Sequence, residues 1–130
     1  MRCLLDTHTL AWAVGDPSRL GGEAFALLSD ASNGLLVSPV SIWEMSIKYH
    51  SGKWSEVAPF LDEAKYASFA ERLGLAEFPI GVAHTRLAGG FDVAHKDPFD
   101  RLLAAQSLLG EVTLISKDPV FGRFGVSRVW

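Results

Sequence analysis

Arg2-Cys3-Leu4-Leu5-Asp6-Thr7-His8 opens the chain with a short apolar run that stops at a carboxylate. Apolar residues without alternation read as a strand buried on both faces. The same pattern recurs at Leu35-Leu36-Val37, at Leu75 to Ile80 (cut by Pro79), at Val112 to Ile115 and at Val126 to Trp130. Helical signals fill the intervals. Thr7 to Val14 places Leu10, Ala11 and Val14 on one side and ends at Gly15-Asp16-Pro17; Glu23 to Leu28 forms the next helix. Ser38-Pro39 is a hydroxyl cap followed by proline at the first helical position. That helix carries Val40, Trp43 and Ile47 on one stripe and ends near Ser51-Gly52. A longer amphipathic helix is expected from Val57 to Leu73, with Phe60, Leu61, Ala64 and Phe69 on its apolar side. Val82 to Ala88 is closed by Gly89-Gly90. Asp97-Pro98 opens the last helix, whose apolar face is Leu102, Leu103, Ala105 and Leu109, with Gly110 closing it. Apolar strands alternating with helices predict an α/β fold with a central parallel sheet covered on both sides.

With 130 residues, about half of them apolar, the chain has the length of one domain and enough material for a core. Its formal charge of −3 provides no global basic field, so contact with nucleic acid must come from local cations. The single cysteine, Cys3, sits in the first strand and reads as a buried thiol in a reducing compartment. No apolar run approaches the roughly 20 residues of a membrane span. Asp6 and His8 interrupt the first apolar stretch, against a signal peptide. A cytoplasmic protein with no membrane partner is the expectation.

In open parallel sheets, sites form beyond the carboxyl ends of the strands. Asp6 ends the first strand, Glu44 lies early in the helix after the second, and Asp118 follows the fourth by way of Ser116-Lys117. His95-Lys96-Asp97-Pro98-Phe99-Asp100-Arg101 adds two acids three residues apart at a helix start, hence on one face. Each acid has an ordinary account. Asp6 and Asp97 suit N-caps, Asp100 suits the first helical turn, and Asp118 before Pro119 suits a turn. Glu44 could pair with Lys48 four residues on, or face the core and need a cation. Thr7 could hold Asp6 by a hydrogen bond. What favours a shared site is convergence, since clustered carboxylates repel and a divalent cation relieves them. All-oxygen ligands favour Mg2+ or Mn2+ over zinc. The four histidines show no ligand spacing, although His8 and His95 adjoin the acids.

Four segments together resemble a known family. They are Leu4-Leu5-Asp6-Thr7-His8, Ser38-Pro39-Val40-Ser41-Ile42-Trp43-Glu44, His95 through Gln106, and Leu114-Ile115-Ser116-Lys117-Asp118-Pro119-Val120-Phe121. In this order, and over nearly the whole chain, they are similar to PIN-domain ribonucleases, specifically toxins of the VapC family in type II toxin–antitoxin pairs. The resemblance implies a three-layer α/β/α fold, with residues 1–130 forming a single PIN domain. It also implies Mg2+- or Mn2+-dependent endoribonuclease activity, a homodimer and a cognate antitoxin. Asp6, Glu44, Asp100 and Asp118 match the family's acidic metal site, and Asp97 is an additional acid. His8 stands where many relatives carry asparagine. By the resemblance, Asp6 and Asp100 bind the main ion, Glu44 and Asp118 complete the pocket, Glu44 or Asp97 takes the proton of the attacking water, and the products carry a 5′-phosphate and a 3′-hydroxyl. Lys96, Arg101, Lys117 and Arg123 are candidates to hold the RNA backbone, or are plain surface charges.

Two rivals stand beside this. A phosphohydrolase with Asp6 as nucleophile would want a second aspartate two residues later, where the chain has His8. A non-catalytic phosphate- or protein-binding α/β module would use the acids only as caps. Trp12, Trp54, Phe60 and Phe69 are aromatics that could face a partner or fill the core.

Overall fold

Alternate residues of the first strand enter two different cores. Cys3 and Leu5 join Leu35, Val37 and Ile115 on one side of a sheet; Leu4 joins Leu36 and Leu114 on the other. This double burial explains strands without polar positions. The computed structural model describes residues Met1–Trp130. Its strands are β1 (Arg2–Leu5), β2 (Gly34–Val37), β3 (Leu75–Glu77), β4 (Thr113–Ile115) and β5 (Arg128–Val129). All pair in parallel, in the order β3-β2-β1-β4-β5.

Helices cover both faces. Leu10 of α1 (Thr7–Gly15), Ala24 of α2 (Gly22–Ser29), Met45 of α3 (Pro39–His50) and Phe69 of α4 (Glu63–Leu73) fill the first core. On the opposite side, Leu103 and Ala104 of α6 (Pro98–Gly110) pack with Phe121 and Phe124 from a 3-10 segment at Pro119–Phe124. The remaining helix, α5 (Val82–Gly90), lies against α6. The result is three layers, α/β/α, as expected. No helix is long and apolar enough to cross a membrane. Burial holds the Cys3 thiol above its ordinary pKa, in keeping with an unreactive core residue.

The chain runs outward through β1, β2 and β3, then returns to the far side of β1 to place β4 and β5. The order reverses between β1 and β4. Loops leaving those two strands diverge, and a crevice opens between them.

Several expectations need correction. The long helix expected from Val57 to Leu73 is two elements: a 3-10 segment at Ser55–Leu61 containing Pro59, then α4, capped by Asp62 through the Lys65 N–H at 2.9 Å. Proline removes a helical donor and Asp62 supplies a fresh start. Ala64 is consequently exposed, whereas Phe60 and Phe69 meet edge to face at 4.9 Å inside the core. On α3 the buried face is Val40, Ser41, Glu44 and Met45; Trp43 and Ile47 stand out in solvent at 58% and 45% exposure. On α6, Leu109 is also exposed.

Gly110 is the last residue of α6, as expected, but it does not carry the left-handed turn. That backbone state belongs to Glu111, with φ of 52°. Glycine is needed at 110 for space: a Cβ there would lie 2.7 Å from the Phe78 ring. Gly110→Ala is expected to cost about 1–3 kcal/mol through forced repacking, read as a lower urea midpoint with an unchanged slope.

Candidate active site

The crevice beyond β1 and β4 is a cleft of about 250 Å3. Asp6, Glu44, Asp97, Asp100 and Asp118 all line it, with His8, Lys48 and His95 beside them. Asp6, Asp97 and Asp118 arrive as caps of helical segments, while Glu44 and Asp100 lie inside helices.

Asp6 is where β1 becomes α1. It caps the helix through Oδ1, which accepts the Thr9 N–H at 2.8 Å, while Oδ2 accepts the Ser116 hydroxyl at 2.5 Å. Only 8% exposed, its carboxyl is pushed above the usual range by burial, against the pull of the Ser116 and Thr9 hydrogen bonds. Thr7, expected to hold Asp6, donates instead to Ser41 Oγ at 3.1 Å and ties α1 to α3.

Glu44 satisfies both of its possible accounts at once. It is 5% exposed on the inner face of α3, and its Oε2 receives Lys48 Nζ at 2.6 Å. Lysine thereby compensates a carboxylate that the helix carries under cover.

Asp97 Oδ1 accepts the N–H groups of Phe99 and Asp100 at 2.9 and 3.2 Å and starts α6. Asp100, one turn in, lies with its Oδ2 2.8 Å from His95 Nε2. Burial, then the neighbouring carboxylates of Asp97 and Glu44, raise the Asp100 pKa to about 6, although the His95 hydrogen bond opposes them.

Asp118 is exposed and caps the 3-10 segment through the Val120 N–H at 2.9 Å. Its own N–H donates to Ser116 Oγ at 3.0 Å. One hydroxyl therefore links the Asp6 carboxylate to the Asp118 backbone. Ser116→Ala is expected to lower cation affinity or activity about 10- to 100-fold by loosening the Asp6 carboxylate that lines the cleft, measured beside an unfolding curve that confirms the fold.

Capping and cleft-lining are thus not alternatives here. The helices begin at the sheet edge, so a capping aspartate is already at the crevice. Among the lining groups, ligand atoms of His95, Asp97 and Asp100 lie within 4.8 Å of one another, close enough to share one ion. Asp6, Glu44 and Asp118 line the same cleft outside that trio. Hard carboxylate oxygens with one imidazole nitrogen form a donor set that fits a divalent cation.

The basic candidates separate. Lys96, Lys117 and Arg123 are exposed. Arg101 is not free to contact RNA: its guanidinium donates to the carbonyls of Ala88, Phe91, Val93 and His95 at 2.8–3.0 Å. It organises the loop that presents His95. Neither this role nor that of Ser116 was evident from spacing; the only hint was that Arg101 adjoins Asp100 and that Ser116 lies two residues before Asp118.

A parallel α/β sheet with an acidic, cation-competent cleft at its switch point defines the class of this protein. The family model of the PIN domain matches residues 3–126, and the chain belongs to that family. PIN domains are in general nucleases that use divalent metals. No curated protein matches the sequence significantly. Among solved structures, a chain of VapBC2 from Rickettsia felis, bound to a DNA fragment from its promoter, is similar with a TM-score of 0.68 at 18% identity, covering 99% of this chain and 98% of that one. A chain of FitAcB from Neisseria gonorrhoeae gives 0.64 at 16% identity over 98% and 96%. VapBC-1 from nontypeable Haemophilus influenzae gives 0.64 at 16% over 99% and 97%.

Proposed function

We propose that the chain is a Mg2+- or Mn2+-dependent endoribonuclease, the toxin of a type II toxin–antitoxin pair. The observation that carries this is the convergence of five carboxylates and His95 on one cleft at the sheet's switch point. Family membership supports nuclease chemistry. Similarity to chains of VapBC and FitAB complexes supports an antitoxin partner; the proposal takes the toxin as a cytoplasmic homodimer.

His95, Asp97 and Asp100 would hold the ion, and Asp6, Glu44 and Asp118 line the same cleft. A bound divalent cation supplies Lewis acidity and a lowered water pKa for phosphodiester hydrolysis. The chain's own groups do the rest. Ser116 and the Thr9 N–H fix the Asp6 carboxylate. Glu44 or Asp97 accepts the proton of the attacking water. Water oxygen bonds to phosphorus, the bond to the 3′ oxygen breaks, and that oxygen leaves with a proton from solvent. The ends are a 5′-phosphate and a 3′-hydroxyl. Lys96, Lys117 and Arg123 remain available to the RNA backbone, whereas Arg101 does not.

The test is cleavage of single-stranded RNA with Mg2+, with Mn2+ and with chelator, beside Asp6→Asn and Asp100→Asn. Cation-dependent cleavage lost in both variants supports the proposal; chelator-resistant cleavage, or full activity in either variant, refutes it. A binding module is the second reading, since Asp6, Asp97 and Asp118 do cap helices. A melting temperature indifferent to millimolar cation, with no cleavage, would favour it. Asp6 as covalent nucleophile is disfavoured because both of its oxygens already accept hydrogen bonds.

A further inference from the structure

The acidic cleft repels the polyanion it is proposed to cut, and the whole chain carries −3. A substrate strand therefore needs cations nearby. They lie beside a second groove, of about 610 Å3, that shares His8 and Lys48 with the cleft. Its walls interleave aromatic faces with cations. Arg19 lies 4.5 Å over the Trp12 ring, Lys117 5.9 Å from the same ring, and Lys48 5.5 Å from Trp54. His8 stacks on Trp54 at 4.8 Å and 26°. Arg19, Lys53 and Lys117 are exposed, and Trp12 and Trp54 are half-buried. Asp16 and Glu56 also line the groove and, with Lys48 held by Glu44, balance its free cations Arg19 and Lys53; Lys117, near the Trp12 ring, adds a third. Stacking surfaces interleaved with cations are how proteins hold single-stranded nucleic acid without reading sequence. Unpaired bases offer the faces that duplex RNA keeps stacked.

Building on the nuclease reading, we infer that this groove is a subsite for single-stranded RNA, in which bases next to the scissile phosphate stack against Trp12 and Trp54 while Arg19 and Lys53 neutralise the flanking phosphates. His8, the departure from the family's asparagine, joins the two compartments. Arg19 lifts from Trp12 to admit a base and then bonds its phosphate. A protein segment is the competing occupant; shared walls with the acidic cleft and the cations set against the Trp12 ring favour RNA.

The experiment reads binding in EDTA, where cleavage cannot occur, by quenching of tryptophan fluorescence. The probes are a short oligouridylate and an abasic ribose-phosphate oligomer of equal length. The oligouridylate should bind about tenfold tighter, the value of one stacked base. Arg19→Glu/Lys53→Glu, at exposed positions that leave the fold alone, should weaken both probes. Trp12→Leu should weaken only the oligouridylate. With metal present, the charge-reversed variant should raise KM about tenfold at unchanged kcat, since it removes uniform binding. Equal affinity for the two probes, or unchanged RNA affinity after charge reversal, overturns the inference; the latter leaves the groove to a protein segment. Tight, stacking-dependent binding without any cleavage counts against the nuclease reading and not against the groove.

Discussion

Replacing Asp100 with asparagine is expected to abolish RNA cleavage and, without metal, to stabilise the protein at neutral pH. The two effects share one cause. Asp100 is partly covered and faces the carboxylates of Asp97 and Glu44, so its folded pKa stands near 6, above the ordinary 3.8. The folded state then binds a proton that the unfolded state has released. For a raised pKa, the stabilising contribution is complete below the unfolded value. It is lost as pH rises from 3.8 through about 6. At pH 7 the apo protein carries the full penalty of packed anions. Asparagine removes that charge and, under the proposed function, one of the ion's ligands. Activity should fall by about 10³-fold or more, because ligands around one ion act as a unit. The apo melting temperature at pH 7 should rise above wild type, and the decline between pH 4 and 7 should flatten. Added Mg2+ or Mn2+ should stabilise the wild type more above pH 6 than below it, and the variant little at any pH. An apo variant less stable than wild type at pH 7 would show that the carboxylates do not repel in the folded state.

Arg101→Ala should be the most damaging single change outside the acids. Four carbonyls over residues 88–95 depend on one guanidinium. The same guanidinium lies near the rings of Phe91 and Phe124 at 5.7 and 6.0 Å. Charged-donor hydrogen bonds contribute about 1.5–3 kcal/mol each before the freed carbonyls regain water. A net loss of about 2–4 kcal/mol follows, a fall in Tm on the order of 10 °C. Because the His95 carbonyl is among the four, the imidazole against Asp100 should lose its position, and metal affinity should drop in parallel. Arg101→Lys should not rescue, since an ammonium cannot span four carbonyls set in a fork. Thermal unfolding and a Mn2+ titration of both variants check this. A near-wild-type melting temperature for Arg101→Ala would mean that the loop is held by other contacts.

Much of this molecule follows from local chemistry. Wholly apolar strands can exist only between two covering layers, so Leu4-Leu5 and Leu35-Leu36-Val37 already imply α/β/α. Ser38-Pro39 and Asp97-Pro98 mark helix starts because capping and proline's fixed φ act within one turn. Asp6, Glu44, Asp97, Asp100 and Asp118 are legible as a set because strand ends of a parallel sheet share one edge. The misreadings arise where local pattern and burial part company. Pro59 and Asp62 divided what periodicity joined, and Trp43 and Ile47 form an apolar stripe left largely exposed, with Phe99 against Trp43.

What sequence alone determined is the layer architecture and the identity of the acids, since periodicity, caps and strand ends are properties of adjacent residues. What only the tertiary structure decided is the strand order that opens the crevice between β1 and β4, the grouping of His95 with Asp97 and Asp100, the hold of Ser116 on Asp6, and the commitment of Arg101 to backbone carbonyls. The strand order and the Ser116–Asp6 bond join segments far apart in the chain; the His95 group and the Arg101 bonds are closer in sequence, but packing chooses their partners. No repeating pattern of neighbouring residues encodes them.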